Sequence, residues 1–177
     1  MIAPELVATD RLTLRPLLAS DAEALFPAFS DPELMTWWSS GPHASVEETR
    51  AYIAPDGGYA EDWFAWAITL RGGEALGRVG AGMRRANVWE IGYLLRRDLW
   101  GRGYAREAVS GIVDHLFAEK DARRIFADVD PDNVLSIGLL RRLGFREEGR
   151  LRGEWETHLG VRDSLIFGLL KDEWNAR

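Results

Sequence analysis

The sequence has no cysteine, which excludes disulfides, thiolate metal sites, iron–sulfur clusters and a cysteine nucleophile. Histidine is scarce too: only His43, His115 and His158 occur, too few and too scattered for a multi-histidine centre, so no metal is expected. No apolar run approaches the roughly 18 residues of a membrane-spanning helix. The opening MIAPELVATDRL lacks the cationic start and apolar stretch of a signal peptide. A cytoplasmic protein with no membrane partner is therefore expected. Positive charge is in deficit, 22 Lys and Arg against 28 Asp and Glu for a net charge of -6, which argues against a nucleic-acid partner. Repeats, low-complexity tracts and linkers are also missing.

What is present is an ordinary globular composition, 46% hydrophobic and 28% charged over 177 residues, the size of one domain spanning 1–177. Eight tryptophans are a heavy load, and Trp37 and Trp38 are adjacent. Arg11–Arg15 alternates as a short strand. Ser20 then looks like the cap of a helix carrying Ala24, Leu25 and Phe29. Asp31-Pro32 marks a break and residues 37–43 a loop. Ser45-Val46-Glu47-Glu48 opens a second helix to about Ala54, ended by Pro55-Asp56-Gly57-Gly58. Residues 63–70, 75–83 and 88–95 change to a period of two and are joined by short turns, which predicts an antiparallel meander. Ala105, Ala108, Val109, Ile112, Val113, Leu116 and Phe117 form one helical stripe, leaving His115 on the wet side. A strand at 124–129, a helix from about Asn133 to Leu143 and strands near 145–151 and 161–170 complete a β-α-α-β-β-β-α-β-α-β-β order, a mixed α/β (α+β) domain.

The chemistry concentrates in 90–108, where a strand, a glycine turn and an amphipathic helix follow one another. Gly101 and Gly103 let backbone approach a ligand without Cβ atoms in the way. The first amides of the next helix point unpaired at that turn, with the helix dipole behind them, so the turn suits a pyrophosphate. Arg96, Arg97, Arg102 and Arg106 against Asp98 form a basic island in an acidic protein. The dinucleotide fingerprint fails here, because it needs a small residue where Arg106 stands, and the P-loop spacing is absent.

Trp100-Gly101-Arg102-Gly103-Tyr104-Ala105 instead resembles the Gln/Arg-x-x-Gly-x-Gly/Ala loop of the GNAT superfamily of N-acetyltransferases. Further segments look like its RimJ/RimL branch of ribosomal-protein N-terminal acetyltransferases. They are Thr9–Pro16, Glu90-Ile91-Gly92-Tyr93, Asn133-x-x-Ser136 leading into Leu143-Gly144-Phe145, and a closing strand from Asp163 to Trp174. Trp100 departs from the superfamily's Gln or Arg.

The resemblance implies a central, mostly antiparallel mixed sheet, splayed at the cofactor site and flanked by helices, with acetyl-CoA as co-substrate. It implies that backbone at Tyr93, Leu94 and Leu95 pairs with the pantetheine arm and that Gly101, Arg102, Gly103, Tyr104, Ala105 and Arg106 hold the pyrophosphate. Asn133 would bond the arm from the next helix. The acceptor amine would attack the thioester directly, with backbone N–H near Leu94 or Leu95 facing the oxyanion. Glu90 is the candidate base and Ser136 the candidate acid for the leaving thiolate; a solvated strand carboxylate and a helix-capping serine are their plainer readings. An α-amine with pKa about 7.8 is roughly 15% neutral at pH 7, whereas a lysine amine is almost wholly protonated. A protein N-terminus therefore asks less of the base.

Trp37, Trp38 and Trp155 are candidates to wall the acceptor cleft, and His43 and His158 fall in loops near it. The loops at 31–60 and 150–162 would set the acceptor. An N-terminal α-amine leads; a small amine or aminoglycoside, and a non-catalytic acyl-CoA sensor, are the alternatives. Monomer and homodimer are both open.

Overall fold

The computed structural model describes residues 4–54 and 63–176. The turn expected at Pro55–Gly58 lies outside the described residues.

Among the described residues, the strands form one eight-stranded sheet. The short β1 (Val7–Ala8) pairs antiparallel with β2 (Leu12–Pro16), which pairs with β3 (Phe64–Leu70). β4 (Ala75–Arg85) and β5 (Val88–Leu95) continue the meander. β5 then pairs parallel with β6 (Arg124–Val129), and β6, β8 (Gly160–Leu170) and β7 (Arg146–Thr157) are antiparallel. One parallel pair in a largely antiparallel sheet agrees with the mixed, mostly antiparallel expectation.

Strand side chains alternate between the two sheet faces, and each face has its own core. One face packs against α4 (Tyr104–Glu119) and α5 (Val134–Arg142) through Ile112, Leu116, Ile125 and Phe167. Burying each such side chain stabilises by about 1.5–3 kcal/mol. The other face carries α1 (Ala22–Phe29), α2 (Pro32–Met35) and α3 (Val46–Ile53), with Leu25, Phe29, Met35 and Leu94 inside.

Several expectations need correction. Ser20 does not cap α1. A 3-10 turn at Ala19–Asp21 precedes the helix, and Asp21 turns back to accept from the Leu18 amide while Arg15 grips it at 2.6 Å. Asp31-Pro32 does break the chain after α1, and it also starts an unexpected short helix: Asp31 accepts from the Glu33 and Leu34 amides, with Pro32 at the first helical position. Residues 150–162 are mostly the β7–β8 hairpin and not an open loop, with His158 at its turn. The last segment turns helical after Leu170 as α6 (Lys171–Asn175), so Trp174 is not in a strand. His115 is buried, 8% exposed, because Trp66 meets its ring edge-on at 6.0 Å and the N-terminal segment covers it at Glu5. No described helix is long and apolar enough to cross a membrane, and no described group of three or more His, Cys, Asp or Glu could hold a metal.

Candidate active site

β5 and β6 stay paired only from Val88↔Arg124 to Ile91↔Ala127. Beyond that, β5 continues to Leu95 bonded to β4 on its other side, and β6 continues bonded to β8. The sheet therefore opens like a V at Gly92 and Asp128. A cleft of about 590 Å³ occupies the opening.

The turn after β5 supplies one wall. Gly101 has φ +76° and Gly103 φ +79°, a backbone region that L-residues enter only at a cost. Nothing lies within 4 Å of a Cβ built at Gly101, so the space beside that backbone is open. Gly103 precedes α4 without a side-chain cap, and Tyr104, Ala105 and Arg106, whose first-turn amides have no partner within the helix, line the cleft. Trp100, the departure from the family pattern, donates its indole N–H to the Leu95 carbonyl at 2.9 Å and ties the turn to the end of β5. Leu95 thus keeps its amide but not its carbonyl for a ligand. Arg102 does not line the cleft; its carbonyl accepts from Arg11 at 3.0 Å.

The basic island is smaller than the sequence suggests. Arg96 pairs with Glu74 and Asp98, and Arg97 with Asp31 and Glu33. Arg102 and Arg106 form no ion pair among the described residues.

Opposite the turn stands α5. Asn133 caps it, its side-chain oxygen accepting from the Ser136 amide at 3.1 Å, and Asn133 itself lines the cleft. Ser136 Oγ lies 2.7 Å from the Tyr93 hydroxyl. Burial pushes the Tyr93 hydroxyl up to about 12, with the Ser136 hydrogen bond pulling the other way. Glu90 lines the same cleft, its carboxylate held by Arg84 at 2.6 Å, and Arg84 stacks over Trp63 at 5.1 Å.

Trp37, Trp38 and Trp155 all line the cleft. Trp38 donates to the Tyr52 hydroxyl at 2.8 Å and lies 5.7 Å over the Arg78 guanidinium. His43 and His158 do not line it. His43 is buried, stacked on Phe29 at 4.8 Å, with Nδ1 2.9 Å from Thr49 Oγ1.

Residues that the sequence reading passed over complete the far wall: Asp128, Asp130, Arg162 and Asp163. Asp130 is paired with Arg162 at 2.8 Å and Asp163 with Arg150 at 2.7 Å. Asp128 accepts from the Trp155 indole at 2.9 Å and from Ser164 Oγ. Single aspartates in a strand carry no local signal. Only the β6–β8–β7 pairing brings them together.

A family model described as Acetyltransferase (GNAT) domain matches residues 11–146. The chain is 34% identical to an uncharacterized N-acetyltransferase, p20, of Bacillus licheniformis, over 96% of this chain and 98% of that protein. Over a shorter stretch, 39% of each chain, it is 31% identical to the [ribosomal protein uS5]-alanine N-acetyltransferase of Escherichia coli. Among solved structures, RimJ of Mycobacterium smegmatis in complex with CoA-disulfide superposes with a TM-score of 0.84 at 26% identity, covering 96% of this chain and 89% of that one.

Proposed function

Given that this chain belongs to the GNAT family of N-acetyltransferases and is an acyltransferase, we propose that it acetylates a protein N-terminal α-amine, as one N-acetyltransferase domain over 1–177. The observation that carries this reading is the meeting, in one cleft, of the opened strand pair, the glycine turn and α5.

GNAT enzymes use acetyl-CoA, and the residues present suit it. An open Cβ direction at Gly101 and uncapped amides at the start of α4 are what a pyrophosphate needs. The β5 backbone at Tyr93 and the Leu95 amide, on the edge that β6 leaves, together with the spare amide of Asn133, would take the pantetheine arm; the Leu94 backbone faces Arg78 of β4 instead. When bound, acetyl-CoA supplies an acetyl group activated as a thioester. The chain's own part is to orient the acceptor amine, take its proton at a Glu90 carboxylate oxygen, and deliver a proton from Ser136 Oγ, backed by the Tyr93 hydroxyl. The Arg84 ion pair fixes the position of the Glu90 carboxylate.

Two features support a protein N-terminus over a lysine side chain: the similarity to the uS5-alanine acetyltransferase and to RimJ, and the smaller demand an α-amine places on the base. Mass spectrometry after incubation with acetyl-CoA and peptides carrying free or blocked N-termini tests it. Acetylation confined to free α-amines is expected. Modification of lysine side chains in the blocked peptides, or of small amines alone, would refute the acceptor assignment.

A further inference from the structure

The four carboxylates that line the cleft are not equivalent. Glu90 is paired with Arg84, Asp130 with Arg162 and Asp163 with Arg150, at 2.6, 2.8 and 2.7 Å. Asp128 forms no ion pair among the described residues; its two partners, the Trp155 indole N–H and the Ser164 hydroxyl, are neutral donors. These bonds orient the carboxylate, and no Lys or Arg among the described residues comes within ion-pair distance of it.

Its place is equally specific. Glu90 is in register with Phe126, so Asp128, two residues further along β6, projects from the same face of the sheet as Glu90. It stands at the first position after the last β5–β6 pair, at the apex of the opening. Beside it, Trp155 is 44% exposed and lines the cleft while its N–H is committed to Asp128. A fixed anion next to an available indole is the combination that favours an alkylammonium, through a charge-assisted hydrogen bond and a cation–π contact.

An amine acceptor arrives mostly as a cation at neutral pH. Glu90, already neutralised by Arg84, is poorly suited to draw it in. On the reading that this cleft is an acetyltransferase site, we infer that Asp128, with the Trp155 ring, is the subsite that captures the protonated acceptor amine before Glu90 removes its proton. The cleft then selects primary ammonium acceptors over neutral or anionic molecules of the same shape.

The test uses the full chain labelled with 5-fluorotryptophan and saturated with CoA, titrated with n-propylammonium chloride or with n-propanol. The Trp155 fluorine resonance, assigned by its absence in Trp155→Phe, is the readout. Propylammonium should move it saturably and propanol should not, and Asp128→Asn should weaken that binding about tenfold, the loss of one charge-assisted contact. An equal response to both probes, or to neither, overturns the proposal whatever the variant does. So does an Asp128→Asn protein that binds propylammonium as the parent does. CoA affinity and peptide acetylation are measured on the same samples. If those are intact and ammonium selectivity is absent, the Asp128 assignment fails alone; if CoA does not bind, the acetyltransferase reading fails.

Discussion

The Tyr93 hydroxyl on β5 and Ser136 Oγ on α5 are 2.7 Å apart and span the cleft from one wall to the other. Burial holds the Tyr93 hydroxyl at about 12, against the pull of Ser136, so the phenol keeps its proton through the neutral range. Either hydroxyl can donate in this bond; in the arrangement where Tyr93 donates, the serine hydrogen is free to point into the cleft. Ser136→Ala should then lower kcat by about a hundredfold, the usual scale for losing a positioned acid, with CoA affinity unchanged. Tyr93→Phe, which keeps the serine but not its orientation, should cost about tenfold. Steady-state kinetics with calorimetric CoA binding checks both; a Ser136→Ala enzyme with full kcat means that the proton takes another route.

The glycine turn offers a cleaner separation of strain from ligand contact. Gly101 sits at φ +76° with no protein atom within 4 Å of a built Cβ. Gly101→Ala should therefore destabilise the free protein only by the backbone term, about 1–2 kcal/mol. Any loss of CoA affinity beyond that comes from the new methyl meeting the ligand, and about a tenfold increase in Kd is expected, equivalent to about 1.4 kcal/mol. Thermal denaturation and calorimetry report the two effects independently.

The fold was legible where one local rule sufficed. The apolar stripe from Ala105 to Phe117 and the alternation in β3, β4 and β5 are each visible within a dozen residues. β7 was only half visible because its residues are exposed on both faces of an edge strand, so nothing in its alternating charges marks an inside. The burial of His115 depends on Trp66 and Glu5, far away in the chain. The same holds in the cleft. Glu90, Tyr93, Asn133 and Ser136 could be singled out because their motifs are contiguous, whereas Arg84 beside Glu90 and the Asp128 wall are brought there by sheet register and strand pairing. The arginine island looked larger in sequence because the neutralising partners of Arg97, Asp31 and Glu33, come from α2 and the residue that caps it.

Glu107 links the N-terminal segment to the glycine turn. One oxygen accepts from Thr9 Oγ1 at 2.6 Å and the Arg11 amide at 2.7 Å, the other from the Arg11 guanidinium at 2.7 Å. Arg11 in turn donates to the Arg102 carbonyl. Burial opposes ionisation of Glu107, but the Thr9 and Arg11 hydrogen bonds outweigh it and hold the carboxyl below its ordinary range. A carboxyl depressed in the folded state contributes stability above its ordinary pKa, and that contribution is lost as pH falls through the lowered value. Glu107→Gln should cost about 1.5–3 kcal/mol at neutral pH and flatten the acid side of the stability profile below the ordinary glutamate value of 4.5. Urea unfolding across that range is the measurement; an unchanged acid limb in the variant would show that Glu107 is not its source.

His43 predicts a second, separate pH window. Its ring is stacked on Phe29 with the planes 6° apart, and Thr49 occupies Nδ1. Burial lowers its pKa from the ordinary 6.5; Glu48 raises it and Arg78 lowers it again, leaving the net shift downward. The unfolded chain therefore takes up a proton near 6.5 while the folded chain resists it. The resulting stability is complete above 6.5 and declines as pH falls toward the lowered value, by at most about 1.4 kcal/mol per pH unit. His115, lowered by burial and by Lys120, acts in the same direction. His43→Phe keeps the stack and removes the titration, at a cost of about 1 kcal/mol for the Thr49 hydrogen bond at pH 8. The variant should thus lose less stability than the parent between pH 6.5 and pH 5, a residual slope remaining from His115. Denaturant midpoints at the two ends of that window decide it: parallel declines in parent and variant would place the His43 proton equilibrium outside the folding reaction.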